Sequence, residues 1–276
     1  MNYEYELSGK PGNIYSLGLL AGILLTSIIT AAYTLLNMLP FVYVSIIGWV
    51  FYLWVLYHSQ HWIVHLSKCR SKDHSLTYGM IMGVIALYLN WAFFSYSMFS
   101  RNGIECTLFG LLINPGTMLD VMQFVSNAGY EVGSLTFNDG PLVICWLIEA
   151  GGILAVCAYG GSKATHKKVF CEDCNNWTDK IDIYSRRQCP NSEELDKILW
   201  EDLSGLIVLP VATPDDPYHL KLNPSICYRC NNLHTLDLDL IYYEHNHKGE
   251  IKEKSEDIGP VYKIDDQLAQ QIIKLN

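Results

Sequence analysis

The sequence predicts an α-helical membrane bundle of four transmembrane helices, followed by a small α+β domain that faces water. Three observations predict it. Half of the 276 residues are apolar and only 17 % are charged, against about 25 % charged in ordinary soluble domains. The charges are uneven: residues 1–160 hold 5 Lys/Arg and 8 Asp/Glu, and residues 161–276 hold 14 and 20. Four of the nine cysteines form two Cys-x-x-Cys pairs inside the charge-rich part. The chain therefore divides into a transmembrane domain, 1–163, and a polar domain, 164–276. Both parts are net acidic, and no basic run interleaves with aromatics, so nucleic acid is not a predicted partner.

A helix needs about 20 residues to cross a hydrocarbon core of about 30 Å. Four stretches are long and apolar enough. The first runs from about Ile14 to Met38 without a charge, and Pro40 then forces a turn because proline cannot continue the helix. The second runs from about Phe41 to Tyr57 and extends as a helix through Leu66. The third covers about Leu76 to Phe99 and the fourth about Pro141 to Gly160. The polar part is too small to cover four such helices as a soluble core. A cleaved signal peptide is a poor fit to the first, because Glu4 and Glu6 precede it against Lys10 alone and its apolar run is too long.

Lys and Arg near the helix ends set orientation. Lys68, Arg70 and Lys72 lie between segments two and three, and Lys163, Lys167 and Lys168 follow segment four. The extracytoplasmic connection, 100–140, holds Arg101 beside Glu105, Asp120, Glu131 and Asp139. The expectation is a multi-pass cell-membrane protein with both termini cytoplasmic. Apolar clusters at Leu108 to Ile113 and Met118 to Val125, broken by Pro115, Gly116 and Gly129, predict one or two short amphipathic helices on the outer face or capping the bundle. Gly18-x-x-x-Gly22 and Gly79-x-x-x-Gly83 allow close helix approach, within the chain or between copies.

Glu149 is the one formally charged side chain well inside a predicted span, and burying it is costly unless it is protonated, paired or wetted. Asn90 and Glu149 each lie about nine residues from the outer ends of their helices, so both sit ~13 Å deep, with Thr30 at a similar level. A hydrogen-bonded Glu149–Asn90–Thr30 cluster is the predicted arrangement. It reads either as a relay or substrate contact, or as a structural tie between helices. His58, His61 and His65 share one face of a continued second helix, with Trp62 adjacent. They suit a cytosolic interface, or a metal as the rival reading.

The strongest chemical signal is Phe170-Cys171-Glu-Asp-Cys174-Asn175-Asn176-Trp177, answered by Cys227-Tyr-Arg-Cys230-Asn231-Asn232. Each pair can wrap one turn around an ion, so Cys171, Cys174, Cys227 and Cys230 supply four thiolates in the tetrahedral set that zinc favours. Asn after the second Cys of each pair suits a left-handed backbone. The 52 residues between Cys174 and Cys227 must hold an insertion. It reads as a helix from about Ser192 to Leu203, then a strand Leu206 to Val211. Thr235 to Ile241 alternates at period two and predicts a half-buried strand. His247-Lys-Gly-Glu reads as a turn into a further strand, and Asp266 to Leu275 as a closing helix.

Zinc is the predicted cofactor. Iron in the same cage and a dithiol redox pair are its rivals, the latter without the βαβ context it needs. Cys189 and His234 stay outside the predicted ligand set, since four cysteines satisfy the ion. A closed set of this kind holds a fold together and leaves no position for an activated water. No Gly-rich phosphate loop, His-Glu-x-x-His or Gly-x-Ser-x-Gly is present, so no enzyme is predicted.

The Phe170–Trp177 segment after four predicted spans resembles a group of bacterial membrane proteins that carry Phe-Cys-Glu-x-Cys-x-x-Trp and then a zinc-ribbon-like tail. The resemblance implies a cytosolic zinc-ribbon-like domain and a bacterial inner membrane. The predicted function is a docking or assembly module for a cytosolic or membrane partner, or for a second copy, held at the lipid bilayer. The alternatives are a small transporter or channel using Glu149 and Asn90, and a lipid enzyme using the histidine face.

Overall fold

The computed structural model describes residues 3–37, 39, 41–101, 105–132, 135–137, 139–183, 186–213, 216–245 and 250–275. In chain order the elements are β1 (Tyr3–Glu4), α1 (Tyr15–Asn37), α2 (Val42–Leu66), α3 (Lys72–Arg101), α4 (Leu108–Ile113), α5 (Pro115–Ala128), β2 (Tyr130–Val132), β3 (Leu135–Phe137) and α6 (Asp139–Lys163). They continue with β4 (Phe170–Cys171), β5 (Asn176–Trp177), β6 (Asp179–Lys180), β7 (Arg186–Gln188), α7 (Ser192–Glu201), α8 (Gly205–Val208), β8 (Tyr218–Ile226), β9 (His234–His245), β10 (Ile251–Ile264) and α9 (Asp266–Ile273). The turn expected at Pro40 and most of that expected at His247 lie outside the described residues.

The chain forms two compact units, Gly9–His166 and Lys167–Asn276, and the segment before Gly9 belongs to the second. In the first unit, α1, α2, α3 and α6 pack as a helical bundle. Three of its helices, Tyr15–Asn37, Lys72–Ser100 and Gly140–Lys163, are long and apolar enough to cross a membrane. The second expected span, α2, is 25 residues long but is absent from that set among the described residues. Its last third (His58, Ser59, Gln60, His61, His65) dilutes its apolar character. Its outer face nevertheless shows Ile47, Val50, Phe51 and Trp54, each more than half exposed. α1 shows Leu17, Leu20, Leu24 and Ile28 in the same way.

Glycines let the helices meet. A Cβ on Gly79 of α3 would lie 2.3 Å from the Cys157 carbonyl oxygen of α6, and one on Gly161 of α6 would lie 2.4 Å from the Ser75 oxygen of α3. A Cβ on Gly22 of α1 would lie 1.9 Å from the Tyr78 hydroxyl. Both Gly-x-x-x-Gly motifs thus face partners within the chain. The connection after α3 holds the two expected short helices: Leu111 of α4 and Met118, Val121 and Val125 of α5 bury against Ala92 and Leu142, capping one end of the bundle. α5 opens as its sequence dictates, with Pro115 in the first turn and the Asn114 side chain accepting from the Thr117 amide.

The second unit is an antiparallel sheet of order β1-β10-β9-β8-β6, with β7 also paired to β8. α7 and α9 sit on its apolar face, where Leu220, Leu222, Leu236 and Leu238 are fully buried. The alternation in β9 sends Leu236 and Leu238 inward and Asp237 and Asp239 to the other face, as period two requires. α7 starts where expected, with Asn191 capping the Glu194 amide at 2.8 Å. The strand expected over Leu206 to Val211 is instead the single turn α8, and only Val211 makes a bridge, to Arg187. The cause is local: Asp202 accepts from the amide and hydroxyl of Ser204 at 2.9 and 2.6 Å, turning the chain so that Leu206 drops into the core. A short apolar run alone does not separate strand from helix.

The strand at the start of the chain was not foreseen. β1 pairs with β10, Tyr3 opposite Lys263 and Glu4 opposite Tyr262, and the Tyr5 amide donates to the Val261 carbonyl at 2.7 Å.

Candidate functional site

Two short hairpin-like knuckles bring the cysteines together. In the first, β4 pairs with β5, placing Phe170 opposite Trp177 with their rings edge to face at 5.0 Å. Cys174 follows in the turn, and the Asn175 amide donates back to the Glu172 carbonyl at 3.3 Å. The second knuckle closes the β8–β9 connection: the Cys227 amide donates to Leu233 at 3.1 Å and the Asn231 amide to Cys227 at 2.8 Å. Asn175 and Asn231 take the left-handed backbone expected of them, with φ of 48° and 55°. Asn tolerates that region better than other residues with a Cβ.

The sulfurs of Cys171, Cys174, Cys227 and Cys230 all lie within 4.8 Å of one another, and the Cys171 and Cys230 sulfurs are 3.6 Å apart. Four cysteines that close can bind a metal ion, as their spacing predicted. Burial chiefly raises the Cys171 thiol, and the Cys230 sulfur chiefly pushes Cys174 up to about 12. Burial opposes ionisation of Cys227 too, but the backbone amides of Cys230 and Arg229, and then the Cys171 and Cys230 sulfurs, bring it down to about 7.

The surroundings hold these knuckles in place. The Tyr5 hydroxyl donates to the Phe170 carbonyl at 3.0 Å and accepts from the Phe170 amide at 2.8 Å, bracing the residue before Cys171. His234 is buried and its Nε2 meets the Asn231 carbonyl at 2.9 Å, inside the second knuckle. Cys189 packs against the leucine core.

Within the bundle, Glu149 of α6 accepts on Oε1 from Asn90 of α3 at 3.1 Å and from the Tyr33 hydroxyl of α1 at 2.9 Å. The expected pair of Glu149 and Asn90 is therefore formed. Thr30 is not in direct contact. It meets the Tyr52 hydroxyl of α2 at 3.0 Å, and Tyr52 stacks on Tyr33 at 4.2 Å between ring centres. Tyr33 and Tyr52 were missed in the sequence; Tyr33 stands three residues from Thr30 on the same helix face, which was the available signal. Below them the Gln60 amide nitrogen reaches Thr26 at 3.4 Å.

Glu149 and Asn90 line a cavity of about 410 Å³, walled by Tyr33, Trp49, Trp91, Phe94 and Trp146 and roofed by Met122 of α5. No part of the sequence announces it, because its walls come from five helices.

The three histidines lie on α2, but among the described residues they do not gather their ring nitrogens as the cysteines gather their sulfurs. His58 is exposed and sits edge-on to Trp54 and Tyr57, at 4.5 and 5.0 Å. His61 is half-buried and tilts over Tyr57 at 6.4 Å.

No family model, curated protein or solved structure matches the chain.

Proposed function

We propose that this protein is a multi-pass membrane protein whose polar unit is stabilised by a structural zinc and serves as a docking or assembly module for a protein partner or a second copy. The observation that carries the reading is the four-cysteine group on two rigid knuckles. Four thiolates fill the tetrahedral shell of zinc, and a filled shell holds structure without activating water. Iron fits the same donors, so metal analysis of the purified chain belongs to the test.

Four crossings are supported by parity. β1 and β10 belong to one sheet, so the chain before α1 and the chain after α6 lie on one side of the bilayer, which demands an even number of crossings. Adding α2 to the three apolar helices supplies it. The basic residues that flank the polar unit assign that side to the cytosol. The Phe-Cys-Glu-x-Cys-x-x-Trp resemblance supports a bacterial inner membrane.

Chemical crosslinking of the full chain in native membranes, followed by purification in detergent, tests the module. The expected result is one zinc per chain and a stoichiometric companion, or a second copy, that is lost in Cys230→Ser. A crosslinked sample that runs as a lone monomer removes the reading.

The cavity favours a second reading, a small transporter or channel whose path includes Glu149 and Asn90. Flux through proteoliposomes that is unchanged in Glu149→Gln removes Glu149 from any such path.

A further inference from the structure

Three features of the bundle cavity are unused by a docking role. Glu149 is oriented rather than merely buried: Tyr33 and Asn90 both donate to Oε1, and Oε2 receives no hydrogen bond from a described residue. Trp49, Trp91 and Trp146 supply aromatic side chains to the wall of the cavity. Ile46 of α2 and Cys145 and Ile148 of α6 also line it, and all three are exposed on the bundle surface. The mouth therefore opens sideways between α2 and α6, among apolar side chains.

We propose that this cavity binds a lipid-soluble organic amine. Its ammonium meets Glu149 Oε2, and the aromatic wall of the cavity takes its apolar part. The proposal rests on the second reading above and names the ligand class of that same site.

A carboxyl group in a poorly polarisable wall favours an opposite charge that can follow it out of water. Aromatic faces add attraction for an ammonium, most strongly from tryptophan. A hard metal cation needs a shell of six or more oxygens, whereas this wall is mostly rings and aliphatic side chains around one carboxylate. The volume falls within the range of about 300–1,000 Å³ typical of small-molecule sites. A sideways mouth admits a molecule already dissolved in the bilayer.

Dibucaine, an amphiphilic tertiary amine with amide and ether oxygens, is a suitable probe. Its binding to the full-length chain in nanodiscs is measured by equilibrium dialysis, with empty nanodiscs subtracted. Saturation at about one molecule per chain is expected, with affinity at least about tenfold weaker in Glu149→Gln and several-fold weaker in Trp91→Leu, which removes an aromatic face from the wall. An analogue lacking the amine binds weakly. Equal affinity in Glu149→Gln, equal affinity for the uncharged analogue, or uptake that rises linearly as in empty nanodiscs overturns the proposal. A measurement on the unmodified chain stands beside the variants: N-ethylmaleimide alkylation of Cys145, read by peptide mass spectrometry, slows when dibucaine is present. Unaltered alkylation at a saturating probe concentration also overturns it. Saturable binding without flux in proteoliposomes keeps this site and removes the transport reading.

Discussion

Tyr5 and the four cysteines act at the scale of single side chains, yet only the cysteines were legible. Their spacing states the chemistry outright, and the asparagines that follow state the backbone. Tyr5 could not be read this way, because the residue it braces lies 165 positions on in sequence. Replacing Cys174 by Ser removes one of the four donors. The expected result is loss of bound metal and of the cooperative unfolding transition of the β unit, followed by circular dichroism, since a structural zinc contributes on the order of 10 kcal/mol to a small domain. Tyr5→Phe keeps the ring but removes both hydrogen bonds to Phe170. It is expected to cost about 1–3 kcal/mol and to speed loss of the bound metal to a chelator. Metal release at the unmodified rate would show that Phe170 does not need the brace.

Between elements, close approach and paired charge decide stability. The α3–α6 seam depends on Gly79, whose Cβ position is 2.3 Å from a backbone oxygen. Gly79→Val forces the helices apart and is expected to destabilise the bundle by about 2 kcal/mol or more, read as a lower unfolding temperature in detergent. The Gly-x-x-x-Gly pattern announced such a contact, but not that α6 would meet it with Gly161. On the polar face of β9, buried Asp237 accepts from Lys167 at 2.8 Å and from Lys180 at 3.0 Å. Asp237→Ala leaves Lys167 with only the more distant Asp257, at 3.6 Å, and is expected to cost about 1–3 kcal/mol in urea unfolding of the β unit. β9 itself was legible from its alternation. α8 was not, because a six-residue apolar run has no period long enough to identify it, and the side chains of Asp202 and Ser204 settled the outcome.

For the whole molecule, the division into an apolar bundle and a polar sheet was legible from charge density alone. The return of the N-terminal segment to the sheet was not, because a two-residue strand carries no pattern. On the proposed reading, that return makes the number of crossings even. Epitope tags at the two ends are therefore expected to respond alike to protease added outside sealed inverted vesicles, both being digested. Digestion of only one tag would mean an odd number of crossings and no β1–β10 pairing in the membrane.

The pairing of β1 with β10 also sets an order of events during synthesis. β1 emerges before the helices of the bundle, yet its partner β10 leaves the ribosome only after all of them. Until then the opening strand stays single, and in a chain cut short before β10 it never finds its place. A chain cut at its front instead leaves β10 as a bare, outward-facing strand, the kind of edge that recruits other chains. Joining a strand before the bundle to a strand after it thus makes that sheet a seal formed only on a chain carrying both of them.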